Sequence, residues 1–483
     1  MKQYDVVIIG AGILGTMTAR ELSRYDLKVL IVERAYDVGE GATKANSGIL
    51  HAGFHPLGGR LKGISCVEGN ARYGQLCKEL QIPMAYVGGI FVAFHEEGIH
   101  TLHEKMKRGI ENGATGLQMI SGKEALALEP SLNPKVLQAL YAPTTGIISP
   151  FQLVLAVAKS ANLNGVDFLF QTEVLNLFPK EAGYVVHTNQ GDFGADYVVN
   201  TAGEEGATVE NFVRPADLII KPRRGQFYVF DKQVSSCKIK HVLYQAQERD
   251  EGGTLLAPTI DGNLLAGPTS ENVKSFHCNE TTAEGLAHIE SVAKKIVPEI
   301  DMGRVITSFA GVRANIKNVI KEEKDFVVRV SAAHMVSALG IKNPGMTAAP
   351  FLAERMVSLL KKEGLSLHPK KNFIKELPSN QPFLERSEKE QAQLFQQNHA
   401  YGQVVCRCEK ITEGDILRVL KEPLPPKSLN GFKKRLRIGM GRCQGAFCTP
   451  NMIEILSREW NVSPEQILKS TKGSSLVKGW VRK

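Results

Sequence analysis

Two groups of residues have types and spacings that can do chemistry. Gly10, Gly12 and Gly15 stand as G-x-G-x-x-G directly after the apolar run Val6-Val7-Ile8-Ile9. In such a triplet the first glycine allows a tight turn, the second lets a pyrophosphate approach the backbone, and the third lets helix and strand pack closely. The helix that follows turns unpaired amides and the positive end of its dipole toward the phosphates. Glu33 comes eighteen residues after Gly15, at the end of a second apolar run, where a carboxylate accepts hydrogen bonds from an adenosine ribose. The second group is Cys406-Arg407-Cys408 and Cys443-Gln444-Gly445-Ala446-Phe447-Cys448, a C-x-C and a C-x4-C separated by 34 residues. Four thiolates ligate a [2Fe-2S] cluster, and they also make structural zinc sites, although zinc more often takes C-x2-C.

These residues need elements to position them. Asp5 to Ile9 reads as a buried strand, Leu14 to Tyr25 as a helix and Lys28 to Val32 as a second strand, a βαβ start. Short β runs follow from about Gly88, with helical stretches at His100 to Ile110 and Lys123 to Leu128. A second αβ portion holds helix Gln152 to Leu163 and strands Asp167 to Phe170, Tyr184 to Thr188 and Tyr197 to Asn200. The stretch from Arg223 to Ala314 is β-rich, turned by Asp261-Gly262. The nucleotide-binding pattern returns near Phe326 to Val330 and Met335 to Ala338, before a helix from Gly345 to about Leu360. Such interleaving predicts an α/β protein: a Rossmann-like cofactor domain in three parts (1–88, 149–220, 321–368) with a β-rich substrate domain inserted in two (89–148, 221–320). A polar linker or strap (369–400) leads to a small helical C-terminal module (401–483), with helices expected at Ile411 to Leu420 and Pro450 to Glu459.

At 483 residues, 43% of them hydrophobic and 23% charged, the chain is large enough for several cores. No stretch reaches the 18 or more apolar residues of a spanning helix, and no signal peptide opens the sequence, so a cytoplasmic address is expected, with peripheral contact to the inner membrane face left open. The net charge of +9 resides in Pro425 to Lys483, with twelve Lys and Arg against three acids, so a general nucleic-acid coat is not expected. This basic tail suits an acidic redox partner, an anionic membrane surface or RNA, in that order. Cys66, Cys77, Cys237 and Cys278 are scattered and read as reduced, buried thiols; in one helix Cys66 and Cys77 would lie about 16 Å apart, beyond disulfide reach.

The segment Gly41-Ala42-Thr43-Lys44-Ala45-Asn46-Ser47-Gly48-Ile49-Leu50-His51-Ala52-Gly53 resembles the phosphate and isoalloxazine loop of the D-amino-acid oxidase superfamily of flavoproteins. Thr201-Ala202-Gly203 and Gly340-Ile341-Lys342-Asn343-Pro344-Gly345-Met346-Thr347 are similar to its later FAD contacts. The resemblance covers about residues 1 to 365. It implies FAD, held by Gly10, Gly12, Gly15, Glu33, Arg34, Thr43, Ser47, Val174, Ala202, Gly203, Gly311, Gly340, Gly345, Met346 and Thr347. Within that superfamily Asn46 to Phe54, Gly253 to Pro268 and Phe309 to Ala314 look most like FAD-dependent glycerol-3-phosphate dehydrogenases and the related L-2-hydroxyglutarate dehydrogenases. That resemblance implies oxidation of sn-glycerol 3-phosphate to dihydroxyacetone phosphate, with hydride passing from C2 to flavin N5; 2-hydroxy acids and amines are the alternative substrates.

Oxidising an alcohol requires a base for its hydroxyl proton, and His51 is the expected one; the plainer reading is a histidine that only hydrogen-bonds the loop. His55 is a second candidate. Arg313 resembles the superfamily's substrate-anion arginine, with a surface ion pair as its plainer reading, and Arg223 and Arg224 are further candidates beside a solvated turn. No second basic residue is singled out as a phosphate ligand. The four late cysteines resemble the bacterioferritin-associated-ferredoxin-like [2Fe-2S] domain fused to anaerobic-type glycerol-3-phosphate dehydrogenase subunits. The fusion implies electrons leaving through Cys406, Cys408, Cys443 and Cys448 to a second redox flavoprotein or iron-sulfur subunit, which the basic tail would dock.

Overall fold

A computed structural model describes residues 1–215, 217–232, 238–246, 253–318 and 325–479. Cys237 lies outside the described residues. The run Val6 to Ile9, apolar on both faces, becomes the buried end of β1 (Lys2–Ile9). The glycine turn leads into α1 (Ile13–Leu22) and then β2 (Val29–Glu33). Next come α2 (Leu61–Leu80), α3 (Glu96–Glu111), β3 (Asp167–Phe170) and β4 (Gly191–Asn200). A long antiparallel ribbon follows, β5 (Leu218–Phe230) with β6 (Val305–Asn318). The chain then returns through β7 (Met335–Leu339) to α4 (Gly345–Lys362) and ends in a module carrying α5 (Leu429–Leu436) and α6 (Cys448–Trp460).

An eight-stranded sheet carries the glycine turn. In it β1 runs parallel to β4 on one side and β2 on the other, β2 is parallel to β3, and β7 is parallel to the end of β4. α1, α2, α4 and the helix Pro150–Leu163 bury one face through Leu14, Met17, Tyr73, Val154, Leu352 and Met356. The strands Val174–Pro179 and Tyr184–Thr188 extend the same sheet beyond β4 and, with the short helix Gly206–Asn211, pack on its other side through Leu177, Val186 and Val209. A second, nine-stranded sheet is built from residues 89–142 and 218–318 and carries the ribbon. The fold is therefore a Rossmann-like α/β unit with a β-rich unit inserted and a small helical module appended.

Two expectations gain detail in the structure. The β-rich stretch contains the helix Ala283–Ile296, whose Ile289, Ala293 and Ile296 pack on Leu243, Leu256 and Leu264. Its start is capped by Thr282, which the β signals on both sides obscured. The polar stretch after Lys370 is a strap tied to the body: Ile374 N donates to Asn164, Leu377 N to the Glu79 carbonyl, and Phe383 N to Asp415. It carries the helix Glu388–Gln397, started by a Ser387/Glu390 capping box. In the module, Thr412 and Asp415 form another capping box, so the helix there begins at Glu413. Cys66 and Cys77 are free and buried, Cys278 is free and partly exposed, and the pair at 66 and 77 sit on α2 as expected.

Gly15 shows how tightly the turn is set, since a Cβ there would stand 2.0 Å from the Gly10 carbonyl oxygen and 2.7 Å from Thr201 Oγ1. By contrast a Cβ on Gly74, on the open side of α2, meets nothing within 4 Å. Gly15→Ala is expected to cost about 1–3 kcal/mol by overpacking and to lower bound FAD, whereas Gly74→Ala gains about 0.5–1 kcal/mol of helix stability. Thermal melts and flavin content of the two purified variants check this; equal behaviour would contradict the steric argument.

Candidate active site

The glycine turn presents what a dinucleotide needs. Gly10 has φ 99°, and a Cβ there would stand 2.7 Å from the Thr201 carbonyl oxygen. α1 starts at an N-cap, Gly12, with no side-chain cap and no acid in its first turn, which leaves its positive end for an anion. Thr43 Oγ1 accepts from Ile13 N at 3.1 Å and so ties the phosphate loop to that helix. Glu33 closes β2 with one oxygen accepting from Ala11 N (2.8 Å) and the other from Ala35 N (2.9 Å). A carboxylate has about four acceptor positions, so capacity for a ribose remains. Burial raises the Glu33 pKa, against the two amides, which lower it. Ala202 and Gly203 follow the tip of β4 beside Gly10, and Val174 starts a neighbouring strand. Arg34 is ion-paired with Glu204 and Glu205, so its guanidinium closes this end of the site through those acids.

One face of the ribbon forms the floor of the reacting end. Arg223 lies directly opposite Arg313, Gly225 opposite Gly311, and Phe227 opposite Phe309. Successive residues alternate faces, so this face reads arginine, glycine, phenylalanine on both strands. The two phenylalanine rings stack at 4.8 Å. The glycines keep the middle flat, where a Cβ on Gly311 would sit 2.4 Å from the Ala45 carbonyl oxygen. Gly225, Gly311, Thr43, Ser47, His51 and Gly345 to Thr347 bound one cavity. α4 points its uncapped N-terminus into it. Gly340, φ 65°, makes the turn from β7 toward α4, packed on Ile316.

His51 is held from behind. Its N donates to Thr347 Oγ1 (3.1 Å), and its carbonyl accepts from Asn70 Nδ2 (3.1 Å) and Cys66 Sγ (3.4 Å). Among the described residues no hydrogen bond is made to its ring, and the residue lines the cavities on both sides. Burial, aided by Lys62, pulls its pKa down to about 4, so the ring is neutral at neutral pH and able to accept a proton. His55 is half-buried among Phe54, Phe91 and Tyr244, with its ring 5.9 Å from that of His51, and the loss of solvent around it holds its pKa well below the usual range.

Beyond His51 and Arg313 opens a cavity of about 560 Å³. Among the described residues its Lys and Arg are Arg60, Lys62, Lys105, Arg108, Arg223, Arg313 and Lys342, and its one acid is Asp325, which is bonded to the amides of Leu61, Lys62 and Phe326. Arg313 donates to the Thr269 carbonyl (2.9 Å) and Ser270 Oγ (3.3 Å). Burial and then the facing Arg223 lower its pKa to about 10. Arg223 Nε, Arg313 Nε, Tyr244 Oη and Gln245 Oε1 are buried in this cavity without a partner among the described residues. Sequence reasoning missed Tyr244, Gln245, Lys62, Lys105, Arg108 and Lys342. Only the Lys105/Arg108 spacing, one helical turn on α3, offered a signal. Arg224 is corrected: it faces away from the cavity and pairs with Glu271 and Glu280.

The four late cysteines arrive as two contacting pairs, Cys408 with Cys443 at 3.8 Å and Cys406 with Cys448 in hydrogen-bond contact. That contact, the larger influence on it, holds the Cys406 pKa near 6. Cys448 opens α6 and is the protonated partner of that contact: the Cys406 sulfur, then burial, hold its pKa well above the usual thiol range. Among the described residues no set of three or more His, Cys, Asp or Glu converges on one ion position. Two thiol pairs suit a two-iron cluster, one pair per iron, better than a single tetrahedral ion. On the body side, Met440 and Gln444 of the cysteine loop line a cavity of about 420 Å³ whose other walls include Ala45 to Gly48 of the 41–53 loop.

Residues 5–359 match the model of the FAD dependent oxidoreductase family, and residues 404–458 that of the BFD-like [2Fe-2S] binding domain. The chain is 38% identical over 478 residues to a glycerol 3-phosphate dehydrogenase of Caloramator mitchellensis, covering 99% of this chain and 98% of that protein. It is 24% identical to one subunit of the anaerobic glycerol-3-phosphate dehydrogenase of Escherichia coli K12, over 95% of this chain and 88% of that one. The dithionite-reduced, FAD-bound L-α-glycerophosphate oxidase of Mycoplasma pneumoniae superposes with a TM-score of 0.73 at 29% identity, over 78% of this chain and all of that one.

Arg223 and Arg313 repel across the ribbon. Arg223→Gln is therefore expected to raise the melting temperature of the ligand-free protein slightly and to weaken binding of inorganic phosphate at least tenfold. Calorimetric titration and a thermal melt check both; unchanged phosphate affinity would remove the paired-arginine anion site.

Proposed function

The chain belongs to the FAD dependent oxidoreductase family, and within it we propose a dehydrogenase that oxidises sn-glycerol 3-phosphate to dihydroxyacetone phosphate, the electrons leaving through a C-terminal [2Fe-2S] cluster. The observation that carries the substrate is the Arg223/Arg313 pair opposite His51, at the mouth of a cavity rich in cations. Two guanidiniums facing one space suit a phosphate dianion, which takes a donor fork from each. The phosphate thus anchored leaves the secondary hydroxyl within the reach of the His51 ring. A ring nitrogen of His51 accepts the hydroxyl proton, while Tyr244 and Gln245 supply hydrogen bonds to the remaining polar atoms of the substrate. Burying orphaned polar groups against a polyol also gives selectivity, since an analogue lacking the hydroxyl leaves them unpaired.

FAD, when bound, supplies the two-electron acceptor for the hydride; Gly10, Gly12, Gly15, Glu33, Thr43, Ala202 and Gly203 hold its nucleotide end, and Ser47, Gly311, Gly340, Gly345, Met346 and Thr347 its ring end. Val174, at the start of its strand, is assigned to the same nucleotide end. Cys406, Cys408, Cys443 and Cys448 hold the cluster, which supplies one-electron transfer. The shared cavity between the 41–53 loop and Met440/Gln444 supports an exit on that side. A further redox subunit would take the electrons, as the naming of the E. coli relative as one part of a larger enzyme suggests. No helix of the described residues is long and apolar enough to cross a membrane.

Anaerobic glycerol 3-phosphate is expected to bleach the flavin absorbance, and L-2-hydroxyglutarate and amines are not; bleaching by those instead would reassign the substrate. His51→Asn should lower kcat by a factor of about 10²–10⁴. Because His51 accepts a proton only when neutral, its acid limb in kcat/KM belongs near pH 4, below the ordinary histidine range, and vanishes in that variant. A limb at about 6.5 that disappears with His51 would show the imidazole to be solvated rather than buried.

A further inference from the structure

We propose that the C-terminal module is itself part of the dinucleotide site: Lys434 and Arg435 of α5 hold the 37–44 loop over the glycine turn, so that FAD retention and cluster loading are coupled within one chain. The contacts are buried and specific. Arg435 forks onto Asp37 at 2.6 and 3.0 Å, with both side chains almost fully covered. Lys434 Nζ reaches the Val38 carbonyl (2.9 Å), Asp37 (3.1 Å) and Glu40. Burial alone would raise the Asp37 carboxyl; Arg435 and Lys434 outweigh it and hold the group below the usual carboxylate range. Such ions tolerate burial only as a set, because removing one partner strands the others.

The loop so gripped runs between the ribose acid and the phosphate threonine. Gly39 N donates to the Ala11 carbonyl at 2.9 Å, inside the glycine turn. Val38 is buried in the main core, and Glu40 is also paired with Lys44. A shift of α5 therefore moves the peptide that packs on Ala11 and carries Thr43.

The other end of the link is the cysteine loop. α5 leaves its last turn through Arg437, left-handed at φ 59°, and reaches Cys443 six residues later. Arg437 bonds Glu409, beside Cys408, and Asp261 of the body. A Cβ on Gly441 would stand 2.2 Å from Cys408 Cβ, so the two cysteine segments pack directly. The core of the module is small, and Cys406 and Cys448 are members of it together with Phe432 and Leu436 of α5. A core of that size gains much of its order from its metal. Emptying the cluster then loosens α5, and by linkage FAD binding must favour the loaded cluster as much as the cluster favours FAD.

The test uses full-length protein and no substrate, so it stands apart from which alcohol is oxidised. FAD affinity is measured by titrating deflavinated protein and following flavin fluorescence, with iron per chain on the same samples. Arg435→Met and the cluster-free Cys443→Ser are each expected to weaken FAD about tenfold, and the double variant no further than the weaker single one. Should Arg435→Met not fold, Glu40→Gln combined with Lys434→Met cuts the companion contact of α5 to the same loop, at the more exposed Glu40, with the same expected weakening. FAD affinity within twofold of the parent in Cys443→Ser, or additive losses in the double variant, would overturn the coupling.

Discussion

Two like charges set face to face organise this molecule. Arg223 and Arg313 occupy opposite positions of one antiparallel ribbon and point to one side of it, in a cavity whose only acid among the described residues is bound to backbone amides. A folded chain gains nothing from such a pair, and the lowered pKa of Arg313 records the strain of burial and repulsion. An anion between them removes the conflict. The strand period then dictates the rest: two residues further along the same face come glycines, and two beyond those stacked phenylalanines. Arginine pair, glycine gap and aromatic wall are thus aligned by the pleat itself. His51 is brought to the opposite wall by Asn70 of α2 and Thr347 of α4, two helices of the cofactor unit.

The basic C-terminal stretch takes on a different meaning in the fold. Lys434, Arg435 and Arg437 are spent on Asp37, Glu40, Glu409 and Asp261, and Arg458 on Glu413. Part of the charge that reads as an external docking surface, at Lys434, Arg435 and Arg437, instead joins the module to Asp37, Glu40 and Asp261 of the body. The result places the cysteine loop beside the 41–53 loop instead of on a free tether.

What was legible in the sequence were features whose signal is local. The glycine triplet, Glu33, the period of the apolar runs and the four cysteines each announce themselves within a few residues, and His51 and Arg313 came with the family-like segments around them. What was hidden depended on register or on distant packing. Whether Arg223 or Arg224 faces the cavity is a one-residue question that only the pairing of β5 with β6 answers, and the choice reverses the role of each. Tyr244 and Gln245 belong to a strand four residues long, and Lys62, Lys105 and Arg108 converge from two helices that no local pattern relates. The helix Ala283–Ile296 was obscured because its neighbours in sequence are strands, while its apolar face packs on that same sheet.

In the proposed reaction one substrate, held by the arginine pair and deprotonated at His51, reduces two redox centres in sequence. Rapid-freeze sampling after anaerobic mixing with one equivalent of glycerol 3-phosphate measures it directly, with flavin absorbance and the paramagnetic signal of the reduced cluster read on the same time course. The flavin is expected to bleach first, and the cluster signal to grow as flavin colour returns. A bleached flavin beside a cluster that stays oxidised, or a cluster reduced with no prior change in the flavin, would contradict it.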